Sequence, residues 1–468
     1  MSDIKFGTDG WRAVIGDGYT FANVERVARA TAQWLIDENE EPSIVLGYDT
    51  RFQGETFARR VAEVMGTMGV SVRMADSFVT TPAISWAAGR YNHSAGVVIT
   101  ASHNPPEYNG FKIKAGFGGP ATQEMIAEVE QRLATLGDGF DRKDFDSLVD
   151  AGRITTHNLA EDYRNVLADG IDVGAIKRSG TRIAYDAMYG AGQGYVGDLI
   201  GRRQVVELHH DHNPGMKGQA PEPIERNLER LSRAVIEERC EVGMATDGDA
   251  DRIGMFDEKG RFVDSHQLLA LLVKYLHEER SLTGTIVKTF STTDMLERMA
   301  KQYGLPIETT PIGFKYIVPY LIDGDVLVAG EESGGMAIKG HIPERDGLFI
   351  GLTIVEMMVK RGKPLSALVQ ELFDEFGEHR TYRTDLHTTQ LRKETVLERL
   401  SNEGLSQIDG REVTSTETLD GFKYRVDGGW LMFRASGTEP VLRIYSEARS
   451  LDEARDLVRA GMQFVADA

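Results

Sequence analysis

Short apolar runs alternate with longer stretches of helical periodicity along most of this chain. Ile44-Val-Leu-Gly-Tyr48 predicts a buried strand, and Glu55 to Met68 predicts a helix with Phe57, Val61, Val64 and Met68 on one face. Strands follow at Val70–Met74 and Ala95–Thr100. The alternation restarts at Thr181–Tyr185, passes through a helix near Asn227–Arg239, and reaches a strand at Val242–Thr246. A third round takes in a helix at Ser265–Glu279 and strands at Gly284–Lys288 and Val326–Ala329. Strands alternating with helices of this length predict βαβ units and parallel sheets, so the fold class is α/β. Beyond about residue 376 the texture changes to short alternating strands, Phe422–Val426 and Trp430–Arg434, and a closing helix, Leu451–Val465. That predicts a smaller, separate α+β domain.

Two weak echoes suggest related units: Thr80-Thr-Pro82 recurs as Thr309-Thr-Pro311, and Gly110-Phe-Lys112 as Gly313-Phe-Lys315. The length, 468 residues, suggests about three domains, with two or four also open.

Charge narrows the partners. The chain carries 53 Lys and Arg against 72 Asp and Glu, a formal net charge of −19. Nucleic acid and anionic membrane surfaces need a positive field and are therefore not expected partners. A small anionic substrate is still allowed if cations gather locally around it. Leu268–Val273, the longest aliphatic run, is far short of a membrane span, and no apolar segment follows Met1-Ser-Asp-Ile-Lys to make a signal peptide. A single cysteine, Cys240, excludes an intrachain disulfide and fits a cytoplasmic location.

Four loops carry candidate chemistry. Thr100-Ala-Ser-His-Asn-Pro-Pro106 follows a predicted strand, where open α/β sheets collect ligands. Ser102 is there a candidate nucleophile or phosphate carrier, expected to be open to solvent, with His103 beside it. His212-Asn-Pro214 repeats three of these residues without the hydroxyl. Asp247-Gly-Asp-Ala-Asp-Arg252 spaces three carboxylates to converge on one side, where they repel unless a hard cation such as Mg²⁺ or Ca²⁺ joins them. An EF-hand is a poor match: Glu258 falls at its twelfth position, but Arg252 stands where that loop needs glycine. Gly330-Glu-Glu-Ser-Gly-Gly335 has the carboxylates and hydroxyl to bind a polyol. Arg434-Ala-Ser-Gly-Thr-Glu-Pro440 has the composition of a phosphate loop: a guanidinium fork, two hydroxyls and a glycine that lets backbone N–H groups approach an anion. A phosphoryl carrier, a hard-metal triad, a polyol loop and a phosphate loop together suit phosphoryl transfer.

With these four signatures in this order, and Phe6-Gly-Thr-Asp-Gly-Trp-Arg12 at the start, the whole chain resembles the α-D-phosphohexomutase family. The resemblance implies three similar mixed α/β domains and a smaller C-terminal α+β domain around a central cleft. The expected divisions are 1–150 carrying the phosphoserine, 151–256 the metal, 257–375 the sugar loop and 376–468 the phosphate loop. It implies that Ser102 is phosphorylated and that Mg²⁺ is held by Asp247, Asp249, Asp251 and an oxygen on Ser102, with Arg252 offsetting charge nearby. Arg12 and Lys112 match positions used around the transferring phosphate and for proton transfer, and His103 flanks the nucleophile. Lys315, Glu331, Ser333 and Arg345 are implied on the substrate, the two loop residues gripping sugar hydroxyls. Arg434, Ser436, Gly437 and Thr438 would hold the phosphate that is not reacting.

The implied reaction is reversible phosphoryl transfer between O1 and O6 of a hexose through a hexose 1,6-bisphosphate, which also serves as activator. Glu331-Glu-Ser-Gly-Gly335, Lys315 in Gly313-Phe-Lys-Tyr316 and Arg345-Asp-Gly347 resemble the glucose-type, phosphoglucomutase version. Mannose- and glucosamine-type members usually differ at the position of Glu332 and carry a histidine at that of Gly335. Those two activities are the nearest alternatives. A Mg²⁺-dependent sugar phosphatase and a non-catalytic sugar-phosphate sensor fit less well, because the phosphate loop and the intact Ser102 and aspartates then have no purpose. Partners are small sugar phosphates, and the chain is expected to be a monomer or homodimer.

Overall fold

Among the described residues, 4–137, 139–435 and 441–467 of this computed structural model, the strands gather into four sheets that follow one another along the chain. The first contains β1 (Trp11–Val14), β2 (Ser43–Tyr48), β3 (Ser71–Ala75), β4 (Ala95–Ile99), β5 (Tyr108–Ala115) and β6 (Ile154–His157), in the order β1-β5-β4-β2-β3-β6. The second contains β7 (Ile183–Asp186), β8 (Val205–Leu208), β9 (Val242–Thr246), β10 (Ile253–Phe256) and β11 (Phe262–Val263), ordered β11-β10-β9-β7-β8. The third contains β12 (Thr285–Thr289), β13 (Ile307–Thr310), β14 (Val326–Gly330) and β15 (Met336–Ile338), ordered β13-β12-β14-β15. The last is an antiparallel sheet of β16 (Arg380–His387), β17 (Gln407–Ile408), β18 (Arg411–Glu417), β19 (Phe422–Val426), β20 (Gly429–Ala435) and β21 (Val441–Ala448), in the order β16-β21-β20-β19-β18-β17.

The first three sheets differ from all-parallel βαβ sheets in one repeated way. Their central strands are parallel, but β4 turns back into antiparallel β5, β9 into β10, and β14 into β15. The reason is loop length. A parallel return needs a crossover of about a dozen residues or more, whereas the Ser102, Asp247 and Glu331 loops are too short for one. Each functional loop is therefore the turn at the carboxyl end of a buried strand. The expected edge of the first unit, residue 150, ends the helix Phe145–Asp150, and β6, just after it, pairs in parallel with β3.

One apolar cluster runs from Val45 and Ile84 of the first unit through Tyr163 and Leu167 to Leu271 and Leu352 of the third. The Leu268–Val273 run lies in the buried helix Ser265–Glu278, whose amino end is capped by Asp264 accepting from the Gln267 N–H. No helix among the described residues is long and apolar enough to cross a membrane. The last sheet has its own core, including Leu431, Ile444 and Leu457. It meets the third unit through a small cluster, Phe290, Trp430, Met432 and Tyr445, and through polar contacts such as Lys423 Nζ to the Phe290 carbonyl at 2.9 Å.

Candidate active site

The three hairpin turns of the first three sheets meet at one place. The triad loop reaches the serine loop through Ser102 Oγ, which donates to Asp247 Oδ2 at 2.7 Å. Gly248 makes this approach possible, since a Cβ there would stand 2.4 Å from the Ser102 carbonyl oxygen. The triad loop reaches the Glu331 loop through a bridge between Arg252 and Gly335 and a hydrogen bond from the Ile253 N–H to the Gly334 carbonyl at 3.2 Å.

Ser102 occupies the left-handed region, with φ 53°, unusual for a residue bearing a Cβ. It is 1% exposed, which corrects the expectation of an open nucleophile. In this conformation Asp247 and the neighbouring loops cover it. His103 Nδ1 lies 3.4 Å from Ser102 Oγ. Burial, reinforced by Arg252, Arg12 and Lys112, holds the His103 imidazole well below its ordinary value, so it stands neutral. Arg12 Nη1 donates to Asn104 Oδ1 at 2.6 Å, which keeps its guanidinium against the serine loop.

Asp247, Asp249 and Asp251 are all buried, with ligand oxygens within 4.8 Å of one another. Burial and the two neighbouring carboxylates push Asp247 well above the usual range. Asp249 goes the other way: it is buried too, but Lys112 beside it holds it low. Lys112 Nζ lies 2.8 Å from Asp249, 3.0 Å from Asp251 and 2.8 Å from Asp9. Those three carboxylates outweigh the cost of burial and raise the ammonium above its ordinary value. Asp249 Oδ1 and Asp251 Oδ1 are buried without hydrogen-bond partners. Buried, unpartnered, all-oxygen donors fit a hard divalent cation.

Arg345 also pairs here, with Asp9 and, at 2.8 Å, with Asp251. It thereby joins the third unit to the first and second. Glu331 is buried, and its carboxyl is pushed up to about 7 by that burial, with Arg345 opposing and Glu332 adding to the rise. Ser333 Oγ and Arg252 Nε are buried without partners. Among the described residues Lys315 makes no ion pair, and its Nζ lies 5.0 Å from the Tyr316 ring centroid. The segment carrying it packs against the amino-terminal loop, where a Cβ on Gly313 would lie 3.3 Å from Thr8.

Arg434 is the last residue but one of the last sheet's β20, with Nε 3.0 Å from Asp420 Oδ2; that oxygen also accepts from the Ile312 N–H at 2.8 Å. Ser436, Gly437 and Thr438 lie outside the described residues. The His212-Asn-Pro214 copy begins on an exposed histidine and has no hydroxyl to offer.

Residue patterns alone did not single out five members of this cluster. Asp9 pairs with Lys112, Lys114 and Arg345, and Lys114 also pairs with Glu344 at 2.8 Å. Asp49 and Arg51 lie beneath the serine turn. The signal that could have found the last two is positional: Asp49-Thr-Arg51 directly follows the carboxyl end of β2, next to β4 in the same sheet.

Models of phosphoglucomutase/phosphomannomutase domains match this chain in four consecutive parts: α/β/α domain I at residues 3–138, domain II at 161–260, domain III at 264–376 and the C-terminal domain at 393–461. The chain is 32% identical to a phosphoglucomutase/phosphomannomutase of Thermococcus kodakarensis, covering 99% of this chain and 98% of that one. It is 30% identical to a probable phosphoglucosamine mutase of Thermococcus gammatolerans, again over 99% and 98%. A crystal structure of a Thermus thermophilus protein assigned as a phosphomannomutase superposes with a TM-score of 0.87 at 32% identity, covering 100% of both chains. Matches to all four domains and similarity over the full length agree that the chain belongs to the phosphoglucomutase/phosphomannomutase family of α-D-phosphohexomutases.

Proposed function

We propose that this phosphohexomutase interconverts glucose 1-phosphate and glucose 6-phosphate through a phosphoserine at Ser102 and a glucose 1,6-bisphosphate. The observation that carries the transfer reading is the direct contact of Ser102 Oγ with Asp247 in a buried carboxylate triad. Asp247, Asp249 and Asp251 would hold Mg²⁺, which when bound offsets negative charge on the phosphoryl oxygens. Arg12 and Arg252 face the same anion. His103, neutral here and 3.4 Å from Ser102 Oγ, is within reach for proton transfer, and Lys112, held as an ammonium by Asp9, Asp249 and Asp251, can give a proton but not take one. The phosphoryl group passes from Ser102 to the free sugar hydroxyl, the bisphosphate turns over, and its other phosphate returns to Ser102. Arg434, with Ser436, Gly437 and Thr438, grips whichever phosphate is idle. Glu331 and Ser333 bond sugar hydroxyls, while Lys315 and Arg345 complete the substrate-binding set; burial of the serine keeps water from the phosphoserine.

The glucose preference rests on the Glu331 loop. A Cβ on Gly335 would stand 2.5 Å from Arg345 Cδ, so the histidine usual in the other types has no room while Arg345 bridges Asp9 and Asp251. Glu332 is engaged as well, accepting from Ser291 Oγ at 2.6 Å. The second reading, glucosamine or mannose phosphate, draws on the names of the relatives. A coupled assay over glucose, mannose, glucosamine and ribose 1-phosphates, started with the matching bisphosphate, tests the choice. Glucose 1-phosphate is expected to have the highest kcat/KM; a clear preference for glucosamine 1-phosphate overturns it.

A further inference from the structure

The backbone around Ser102 is turned inward onto one buried side chain. Arg51 Nη2 donates to the carbonyls of Ser102 and Asn104, both at 2.6 Å. Its Nη1 donates to those of Pro105 at 2.8 Å and Tyr108 at 3.0 Å. The guanidinium is oriented from behind by Asp49, whose Oδ2 lies 3.2 Å from Nε. The same Asp49 oxygen accepts from Thr100 Oγ1 at 2.5 Å, and Thr100 Oγ1 accepts from the Ser102 N–H at 2.9 Å. Both side chains of the pair are fully buried.

This is more bonding than an ordinary turn has. A serine at φ 53° relaxes toward the allowed negative region unless its surroundings hold it. Arg51 opposes that relaxation by holding the buried Ser102 carbonyl and the part-buried carbonyls of Asn104, Pro105 and Tyr108 at once. A planar five-donor fork is the side chain able to meet four acceptors and a carboxylate at once. The residue between the two reaches the other loop: Thr50 Oγ1 donates to the Tyr189 carbonyl at 2.6 Å, and the Ala191 N–H donates to the Gly248 carbonyl at 2.8 Å. One three-residue strip thus fixes the serine turn and supports the carboxylate loop it must face.

We propose that Arg51, held by Asp49, is a positioning residue for the nucleophile: it locks the Ser102 turn in its left-handed conformation and so aims Oγ at the Asp247 loop. This rests on the reading of Ser102 as the phosphoryl carrier. Arg51 touches neither substrate nor reacting atoms. Its loss should therefore lower the rate of transfer and spare binding, which depends on other residues.

The test compares wild type, Ser102→Ala, Arg51→Lys and Asp49→Asn, each checked for folding by its thermal transition. Phosphorylation of Ser102 by glucose 1,6-bisphosphate is followed by rapid-quench intact mass, and steady-state kcat and KM are measured with glucose 1-phosphate. Lysine keeps the charge and most of the stem but loses the fork. Arg51→Lys is expected to fold, keep its KM, and lose roughly 100-fold in phosphorylation rate and kcat, the scale of an ångström-sized misplacement. Asp49→Asn should change the same two rates in the same direction by less. If Arg51→Lys is phosphorylated at the wild-type rate, or if its loss is carried by KM, the positioning role is wrong. If both variants fail to fold, the pair is a folding element and the proposal is likewise overturned. If wild type takes up no phosphate on Ser102, the phosphoserine reading itself has failed, which the other outcomes leave intact.

Discussion

Replacing Lys112 by methionine should convert the stability of this protein into a function of Mg²⁺. The lysine ammonium is fully buried between Asp9, Asp249 and Asp251, at 2.8, 2.8 and 3.0 Å. Methionine fills much of the same space and carries no charge. Asp9 keeps Lys114 and Arg345, and Asp251 keeps Arg345 at 2.8 Å, but Asp249 is left with the hydroxyl of Thr81 and no cation in direct contact. Removing one partner of a buried ion pair costs about 3–5 kcal/mol, because the remaining charge stays desolvated. In chelator the variant should therefore melt lower, by about 3–5 °C at roughly 1 °C per kcal/mol for a chain of 468 residues. Acidification should narrow the gap, since the stranded carboxylate can then take up a proton.

Added Mg²⁺ should stabilise the variant more than the wild type. In wild type it must share Asp249 and Asp251 with the ammonium, whereas in the variant only the Thr81 hydroxyl and Arg345 remain on them. A ligand at a hundred times its Kd stabilises by about 2.7 kcal/mol, so a tighter Kd gives a larger shift at any fixed concentration. The assay is thermal unfolding of both proteins in chelator and across a Mg²⁺ titration, with calorimetry for the affinity. The expected result is a less stable variant in chelator with the larger Mg²⁺-induced rise and the tighter binding. Equal Mg²⁺ shifts, or a variant as stable as wild type in chelator, would refute the idea that Lys112 and the metal share these carboxylates.

Three further outcomes follow from the same geometry. Ser102→Ala should gain no phosphate from glucose 1,6-bisphosphate by intact mass and should lose nearly all mutase turnover; wild-type turnover would remove Ser102 from the mechanism. Glu331 has its carboxyl raised by burial to about 7 from an ordinary 4.5, so between those values the folded state binds more protons than the unfolded one and stability falls as pH rises. Glu331→Gln should abolish that slope and be more stable above pH 7 by about 3 kcal/mol, read from melting against pH, while kcat/KM on glucose 1-phosphate drops; an unchanged slope counts against a buried, raised carboxyl. Arg434→Ala should raise KM for both glucose 1-phosphate and glucose 6-phosphate by about one to two decades, the value of a charge-assisted bond to phosphate, while Ser102 is still phosphorylated; unchanged Michaelis constants would dismiss the clamp.

What the chain's own pattern made legible was local. Apolar runs such as Ile44–Tyr48 and Val242–Thr246 mark buried strands because a strand buried on both faces needs little alternation, and both runs lie in observed strands β2 and β9. Ser102, Asp247 and Glu331 were legible because each follows such a run directly. The antiparallel returns were readable in principle from loop length, but helical periodicity elsewhere argued for parallel crossovers. The burial of Ser102 was not legible, since it depends on Asp247, 145 residues away. Neither was the pairing of Arg345 with Asp9, 336 residues away, which no spacing rule connects. Arg51 illustrates the same limit at shorter range: its fork is used on carbonyls, and a carbonyl belongs to every residue, so no side-chain motif reports it.

The charge argument gains its physical content from these long-range pairs. A chain of net charge −19 repels a sugar phosphate at a distance, yet solvent-exposed charges beyond about 8–10 Å are largely screened at ordinary ionic strength. What an arriving phosphate meets at short range is the meeting point of three sheets, where Arg12, Lys112, Lys114, Arg252 and Arg345 are gathered. Most of that positive charge is matched by Asp9, Asp249, Asp251 and Glu344. The cations are thus held in place by carboxylates and can exchange partners with an incoming anion without crossing the bulk negative field. Such an exchange breaks the Asp9–Arg345–Asp251 bridge that ties three units together. On the proposed function, substrate binding and movement of the first three units against one another would be linked through that arginine.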